Sequence, residues 1–62
     1  MTAAARAGLR WARGFVIVVP YDASVLEAAR AWRREHGTSD RDVRLFAFAA
    51  TIEIERRRSA ER

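Results

Sequence analysis

Arginine is the residue type best suited to chemistry in this chain of 62 residues. All twelve basic residues are arginines, and the formal net charge is +4. A guanidinium presents a planar fork of donors that fits phosphate and carboxylate oxygens. Arg10 and Arg13 lie on either side of Trp11, whose ring could stack on a nucleic-acid base. This grouping makes Trp11 a candidate for a surface contact, and Arg-rich basic domains bind phosphate backbones readily.

Catalytic and metal-binding patterns are missing from the sequence. There is no cysteine and only one histidine, His36, so a zinc site of the usual Cys/His kind is excluded. Glu53 and Glu55 flank no nucleophile and are interpreted as surface charge. No phosphate loop, nucleophile elbow or dinucleotide fingerprint is present. We therefore expect no enzymatic activity, no metal and no cofactor.

The length predicts one domain that depends on a partner for stability. A chain of this size buries only about 60% of its unfolded surface, which leaves a monomer marginal. With no disulfide available, oligomerisation is the stabilising device that remains. The composition divides the chain into an Arg-rich arm (1–13), a single small domain (14–58) and a tail (59–62).

A strand followed by a helix is predicted in the first part of the domain. Residues 14–19 are mostly β-branched or aromatic, and Pro20 ends the run. A capping box that begins at Ser24 predicts a helix over 24–36, with Gly37 in the position of a left-handed C-cap.

Residues 38–58 fit two structures. Ser39 is a good N-cap and no Gly or Pro follows before residue 59, which predicts a helix over 39–57. Alternating apolar residues instead fit a strand over 43–56. The cap and the intrinsic propensities favour the helix. In that helix, one face would hold Val43, Phe46, Ala47, Ala50 and Ile54, and the opposite face Leu45, Phe48 and Ile52.

The order of the predicted elements resembles the ribbon-helix-helix DNA-binding family: a strand, a capped helix, a glycine turn and a second capped helix. The turn Gly37-Thr38-Ser39, followed by the apolar residues Val43, Ala47 and Phe48, is similar to the small antitoxin and plasmid-repressor members. The resemblance implies an α+β homodimer whose paired strands enter the DNA major groove. The implied function is a small transcriptional regulator: a repressor, an antitoxin or a phage or plasmid regulator.

The resemblance also implies roles for particular residues. The strand is apolar on both faces, so Arg10 and Arg13 would supply the groove and phosphate contacts. Ser39 would cap the second helix beside the DNA backbone. The core of the oligomer would consist of Phe15, Ile17, Val19, Trp32, Val43, Phe46 and Ala47.

The alternative hypothesis is a β-α-β module without specific nucleic-acid binding. Its strands, 14–20 and 43–56, would form a sheet that another subunit completes, and its partners would be itself or a cognate protein. The apolar run at 15–19 is too short for a signal peptide or a membrane span. Either hypothesis therefore predicts a cytoplasmic protein that does not enter a membrane.

Overall fold

The computed structural model describes residues 1–61, and these fold into three α-helices. The helices are α1 (Ala3–Gly14), α2 (Asp22–His36) and α3 (Asp40–Ala60). No described residue belongs to a β-strand. The predicted α+β class is therefore wrong, both as a ribbon-helix-helix dimer and as a β-α-β module. Residue 62 of the predicted tail lies outside the described residues.

The first helix occupies most of the segment predicted as an arm. Thr2 is its N-cap: the hydroxyl oxygen accepts a hydrogen bond of 3.1 Å from the backbone N–H of Ala5. Alanine, the strongest helix former, dominates the residues that follow. The buried face of α1 contains only small side chains, Ala4, Gly8 and Ala12, spaced one helical turn apart. This face lets α1 approach α3 closely.

Gly8 is the point of closest approach between α1 and α3. A Cβ atom placed on Gly8 would lie 2.2 Å from the carbonyl oxygen of Phe46. No real Cβ atom tolerates that distance, so only glycine fits at this position. The backbones of the two helices are therefore in contact at this point.

The predicted strand at 14–19 is wrong. Gly14 ends α1, and the residues that follow form an unpaired connector between α1 and α2. Phe15 and Ile17 pack against the core, whereas Val16 and Val18 are exposed. A segment that buries every second side chain favours the same residue types as a strand. This connector has that composition, but its backbone is not paired with another strand.

The two predicted helices are present with shifted ends. The helix predicted over 24–36 begins two residues earlier, at Asp22, so Ser24 lies inside α2 and caps nothing. The helix predicted over 39–57 is α3, with Ser39 in the N-cap position but without a side-chain hydrogen bond. Gly37 has φ 63°, the left-handed C-cap that the sequence predicts. The alternative strand at 43–56 is wrong, because α3 covers that whole range.

A short turn folds α3 back along α2. Arg33 stabilises this turn, because its Nε donates to the Thr38 carbonyl at 3.2 Å and its Nη1 lies 2.9 Å from the Asp40 carboxylate. At the other end of the hairpin, the Tyr21 hydroxyl donates to the Glu55 carboxylate. The α2 and α3 helices are therefore antiparallel. The α1 helix runs parallel to α3, because Gly8 lies beside Phe46 and the later residue Ala12 is bonded to Arg57.

The core lies along one face of α3, where α1 and α2 meet it. Its buried side chains include Val25 and Ala29 from α2 and Val43, Phe46, Ala50 and Ile54 from α3. Several residues predicted as an oligomer core belong to this core within one chain. Val43 and Phe46 are buried, and Phe15, Ile17, Trp32 and Ala47 pack against it. Val19 is 62% exposed.

Candidate functional site

Of the residues predicted to bind nucleic acid, Arg10 and Arg13 lie one turn apart on α1, and Ser39 directly precedes α3. Arg10 and Arg13 are exposed on α1, on a helix rather than beside a paired ribbon. Arg13 lies near the end of α1 that contacts Arg57. Ser39 is at the other end of α3, 18 residues before Arg57, which corresponds to about 27 Å along a helix. The described residues form no strand, so the paired ribbon beside which these residues were predicted to act is absent from residues 1–61.

The outer face of α3 is the first candidate surface. We define it by Arg41, Arg44, Phe48, Ile52 and Glu55, which lie on the side of α3 directed away from the core. Phe48 is 69% exposed and Ile52 is 54% exposed. One helical turn separates them, so their side chains form a continuous apolar stripe. Large apolar side chains adjoining in this way are typical of contact surfaces.

Charge is divided along this outer face. Arg41 and Arg44 precede Phe48, and Glu55 follows Ile52. Glu55 is held in place by the Tyr21 hydroxyl and by Arg58, whose Nη1 lies 3.1 Å from the carboxylate. One end of the apolar stripe is therefore positive and the other contains a fixed carboxylate.

The carboxylate of Glu53 points inward and is paired. Glu53 is only 3% exposed, and Arg56 donates to its two oxygens at 2.9 and 2.6 Å. These hydrogen bonds hold the pKa of Glu53 below its ordinary value, although burial acts in the opposite direction. Glu53 is thus a structural ion-pair partner on α3 and has no open side toward a substrate.

The second candidate surface is a cleft between α1 and α2. Both helices pack on α3 but hardly touch each other, which leaves an open cavity of about 500 Å³. Trp11 and Trp32 stand on either side of Phe46, with ring centroids 6.1 and 6.2 Å from it. Small alanines of α1 and α2 make up the walls, namely Ala7, Ala28 and Ala31. Aromatic rings and small alanines therefore make up most of the lining, together with Arg10, Glu35 and His36.

Both tryptophans are fixed by stacking. The ring of Trp11 stacks on Phe15 at 4.6 Å, and the ring of Trp32 stacks on His36 at 4.4 Å. His36 is itself oriented, because its Nδ1 lies 2.9 Å from the Trp32 carbonyl oxygen and can only donate to it. Each tryptophan at the base of the cleft is therefore packed against a second ring besides Phe46.

The rim of the cleft holds opposite charges. Arg10 lies on the α1 side and Glu35 on the α2 side. In the described part of the chain, neither side chain forms an ion pair or a hydrogen bond. The sequence predicts DNA contact for Arg10 but contains no signal for Glu35 as a rim residue or for the cleft, since both depend on the position of α1.

Other kinds of site are not found. Among residues 1–61, no group of three or more potential ligands could hold a metal ion. The same residues contain no helix with the length and apolar character needed to cross a membrane. Neither a family model, nor a curated protein, nor a solved structure matches this chain. The chemistry of the two surfaces is therefore inferred from their own side chains.

Proposed function

We propose that this protein is a self-associating interaction module in which two copies pair through the outer face of α3. The observation that supports this is the exposure of Phe48 and Ile52 in adjacent turns. Removing a large apolar side chain from water contributes about 1.5–3 kcal/mol when its burial is complete. Two such residues from each copy supply a substantial part of the free energy that a small dimer needs.

The charge pattern of the outer face favours a second copy in antiparallel orientation. In a two-fold pairing whose axis crosses the outer face between Phe48 and Ile52, Phe48 lies against Ile52 of the second copy. Arg44 then lies beside Glu55 of the second copy, and the two-fold axis repeats this contact. A parallel pairing would instead place Arg41 and Arg44 against the same arginines, which is unfavourable. The outer face is thus complementary to itself in one orientation only.

The small core of a single chain also supports self-association. Four of its eight buried apolar residues are alanines, and Ile54 is the largest side chain that is completely buried. A domain of this size without disulfides is marginal as a monomer. Pairing through α3 would bury further apolar surface on the helix against which α1 and α2 both pack.

Sedimentation equilibrium tests the proposal directly. At micromolar concentration we expect a mass near twice the chain mass of 7.1 kDa. The double substitution Phe48→Ser and Ile52→Ser is expected to give a monomer with unchanged helical circular dichroism. Val16→Ser is the matched control, because Val16 is 80% exposed on the connector and should leave the dimer intact. A wild-type chain that stays monomeric over this range would refute the proposal.

The orientation of the pair can be measured by spin labelling. The chain has no cysteine, so Ser59→Cys gives one label site in each copy. Antiparallel pairing places the two labels about 18 residues apart along α3, or about 27 Å. Parallel pairing would bring them within about 10 Å, the distance between packed helices. A short distance in a confirmed dimer would contradict the antiparallel arrangement.

Residues 1–61 contain no strand that could form the paired ribbon of a ribbon-helix-helix protein. Arg6, Arg10 and Arg13 are exposed at helical spacing on α1, and they remain able to attract phosphates. With the net charge of +4, we expect salt-sensitive association without sequence preference. In vitro selection that enriches one DNA sequence would contradict this expectation.

A further inference from the structure

We propose that the cleft between α1 and α2 binds a zwitterionic aromatic compound about the size of an amino acid. This site is independent of the self-association proposed above. Phe46 lines the cleft, whereas Phe48 lies 200° further round α3, since each residue of a helix turns by about 100°. A ligand in the cleft and a second copy on the outer face would not compete.

An aromatic body fits the base of the cleft. Trp11 and Trp32 are each fixed by stacking on one neighbour, and both remain partly exposed. Both rings are tilted against Phe46, at interplanar angles of 46° and 40°. A planar ring entering between them would make offset or edge-to-face contacts without moving either tryptophan. The aromatic surface is therefore organised before the ligand arrives.

The cavity has room for such a ring. Its volume of about 500 Å³ is within the range of small-molecule sites. Ala31 is exposed on the α2 wall, so this position presents only a methyl group to the cavity.

The two charges on the rim determine the head group. Arg10 offers a fork of donors that suits a carboxylate. Glu35, on the opposite side, accepts hydrogen bonds from an ammonium group, and the nearby carbonyl end of α2 also favours a cation. A ligand with one charge would leave either Arg10 or Glu35 without a partner. An ammonium and a carboxylate on the same small molecule would engage both.

Three matched probes test this inference: 2-naphthylalanine, 3-(2-naphthyl)propanoate and 2-(2-naphthyl)ethylamine. They share one ring system. The first carries both charges, the second only the carboxylate and the third only the ammonium group. Binding would be followed by NMR through the indole N–H signals of Trp11 and Trp32. We expect 2-naphthylalanine to bind with a Kd of about 0.1–1 mM, in keeping with its few non-hydrogen atoms. Each single-charge probe should bind roughly threefold more weakly, as expected for one exposed ion pair.

Substitutions on the rim separate the two charges. Arg10→Gln should make 2-naphthylalanine bind no better than the amine. Glu35→Gln should make it bind no better than the propanoate. A dimer-breaking change, Phe48→Ser with Ile52→Ser, should leave all three affinities unchanged, which keeps this test separate from that of self-association.

Filling the cleft tests its location. Ala31→Phe places a ring in the entrance and should abolish the binding of all three probes. Ala60→Phe adds the same ring at an exposed site near the end of α3 and serves as the control. The proposal is overturned if 2-naphthylalanine causes no shift at about 10 mM, roughly ten times the weakest expected Kd. It is also overturned if the single-charge probes bind equally well, or if Ala31→Phe leaves binding unchanged while helical circular dichroism is retained.

Discussion

The guanidinium of Arg57, near the end of α3, donates a 2.6 Å hydrogen bond to the carbonyl oxygen of Ala12 in the last turn of α1. The same nitrogen donates to the Phe15 carbonyl at 2.7 Å. The last carbonyls of any helix lack partners within the helix, and a cation there also interacts favourably with the helix dipole. Arg57 thus caps α1 from a distant part of the sequence and holds it against α3.

Replacing Arg57 by Met is expected to lower the free energy of unfolding by about 1–3 kcal/mol, because the Phe15 carbonyl loses its donor and the Ala12 carbonyl keeps only the 3.3 Å hydrogen bond from the Phe15 N–H. Arg57→Lys keeps the charge and one donor, so it should have a smaller effect. Arg34→Met is the control, since Arg34 is exposed on α2. Urea unfolding at one fixed protein concentration measures all three. Equal losses for Arg57→Met and Arg34→Met would show that the cap contributes nothing.

Gly8→Ala is expected to destabilise the fold although alanine is the better helix former. The new Cβ would meet the Phe46 carbonyl oxygen at 2.2 Å, so α1 would have to move away from α3. Overpacking of this kind costs about 1–3 kcal/mol, which outweighs the helix propensity gain of about 1 kcal/mol.

Gly14→Ala is the matched control for that change. A Cβ at Gly14 meets nothing within 4 Å, so this substitution should be neutral or slightly stabilising. Thermal melts followed by circular dichroism compare the two. If both alanine variants gained stability, the close contact between α1 and α3 would be disproved.

Local signals predicted α2 and α3 and failed for α1. The C-cap at Gly37 and the helix propensities of the residues after Ser39 depend only on nearby residues, so they can be recognised in the sequence. The local signal for α1 is poor, because it contains Gly8 and Gly14 and glycine weakens an isolated helix. Glycine is needed at position 8 because the backbone of Phe46 leaves no room for a Cβ atom there. Phe46 is far away in the sequence, so no local pattern shows this requirement.

The candidate surfaces were predictable to different degrees. Helical spacing alone places Phe48 and Ile52 opposite Phe46, so the outer face of α3 follows from the sequence once that segment is known to be helical. The cleft does not follow, because it exists only when α1 and α2 both pack on α3. The error at 14–19 was of a third kind, since an extended connector and a strand share one composition and differ only in hydrogen-bond partners.

The ion pair of Glu53 with Arg56 predicts a particular dependence of stability on pH. Hydrogen bonds from Arg56 lower the pKa of Glu53 from its ordinary value of 4.5. A carboxyl whose pKa is depressed by folding contributes stability above its unfolded pKa, and this is lost as the pH falls through the folded pKa. Melting temperatures of the wild type and Glu53→Gln should therefore differ most near neutral pH and converge below about pH 4.5. A constant difference down to pH 3 would contradict this assignment.

Tyr21 predicts the complementary effect at alkaline pH. Its hydroxyl donates to Glu55, and this hydrogen bond, followed by burial and the charge of Glu55, raises the pKa of Tyr21 above 10.0. Folding therefore favours the protonated phenol, and the stability this contributes is lost as the pH rises through the raised pKa. Tyr21 is the only tyrosine in the chain, so absorbance at the tyrosinate band reports it alone. Glu55→Gln should lower the midpoint of this titration, whereas Arg58→Met should raise it, because Arg58 acts against Glu55. If both variants titrated like the wild type, the contact between the start of α2 and the end of α3 would not exist in solution.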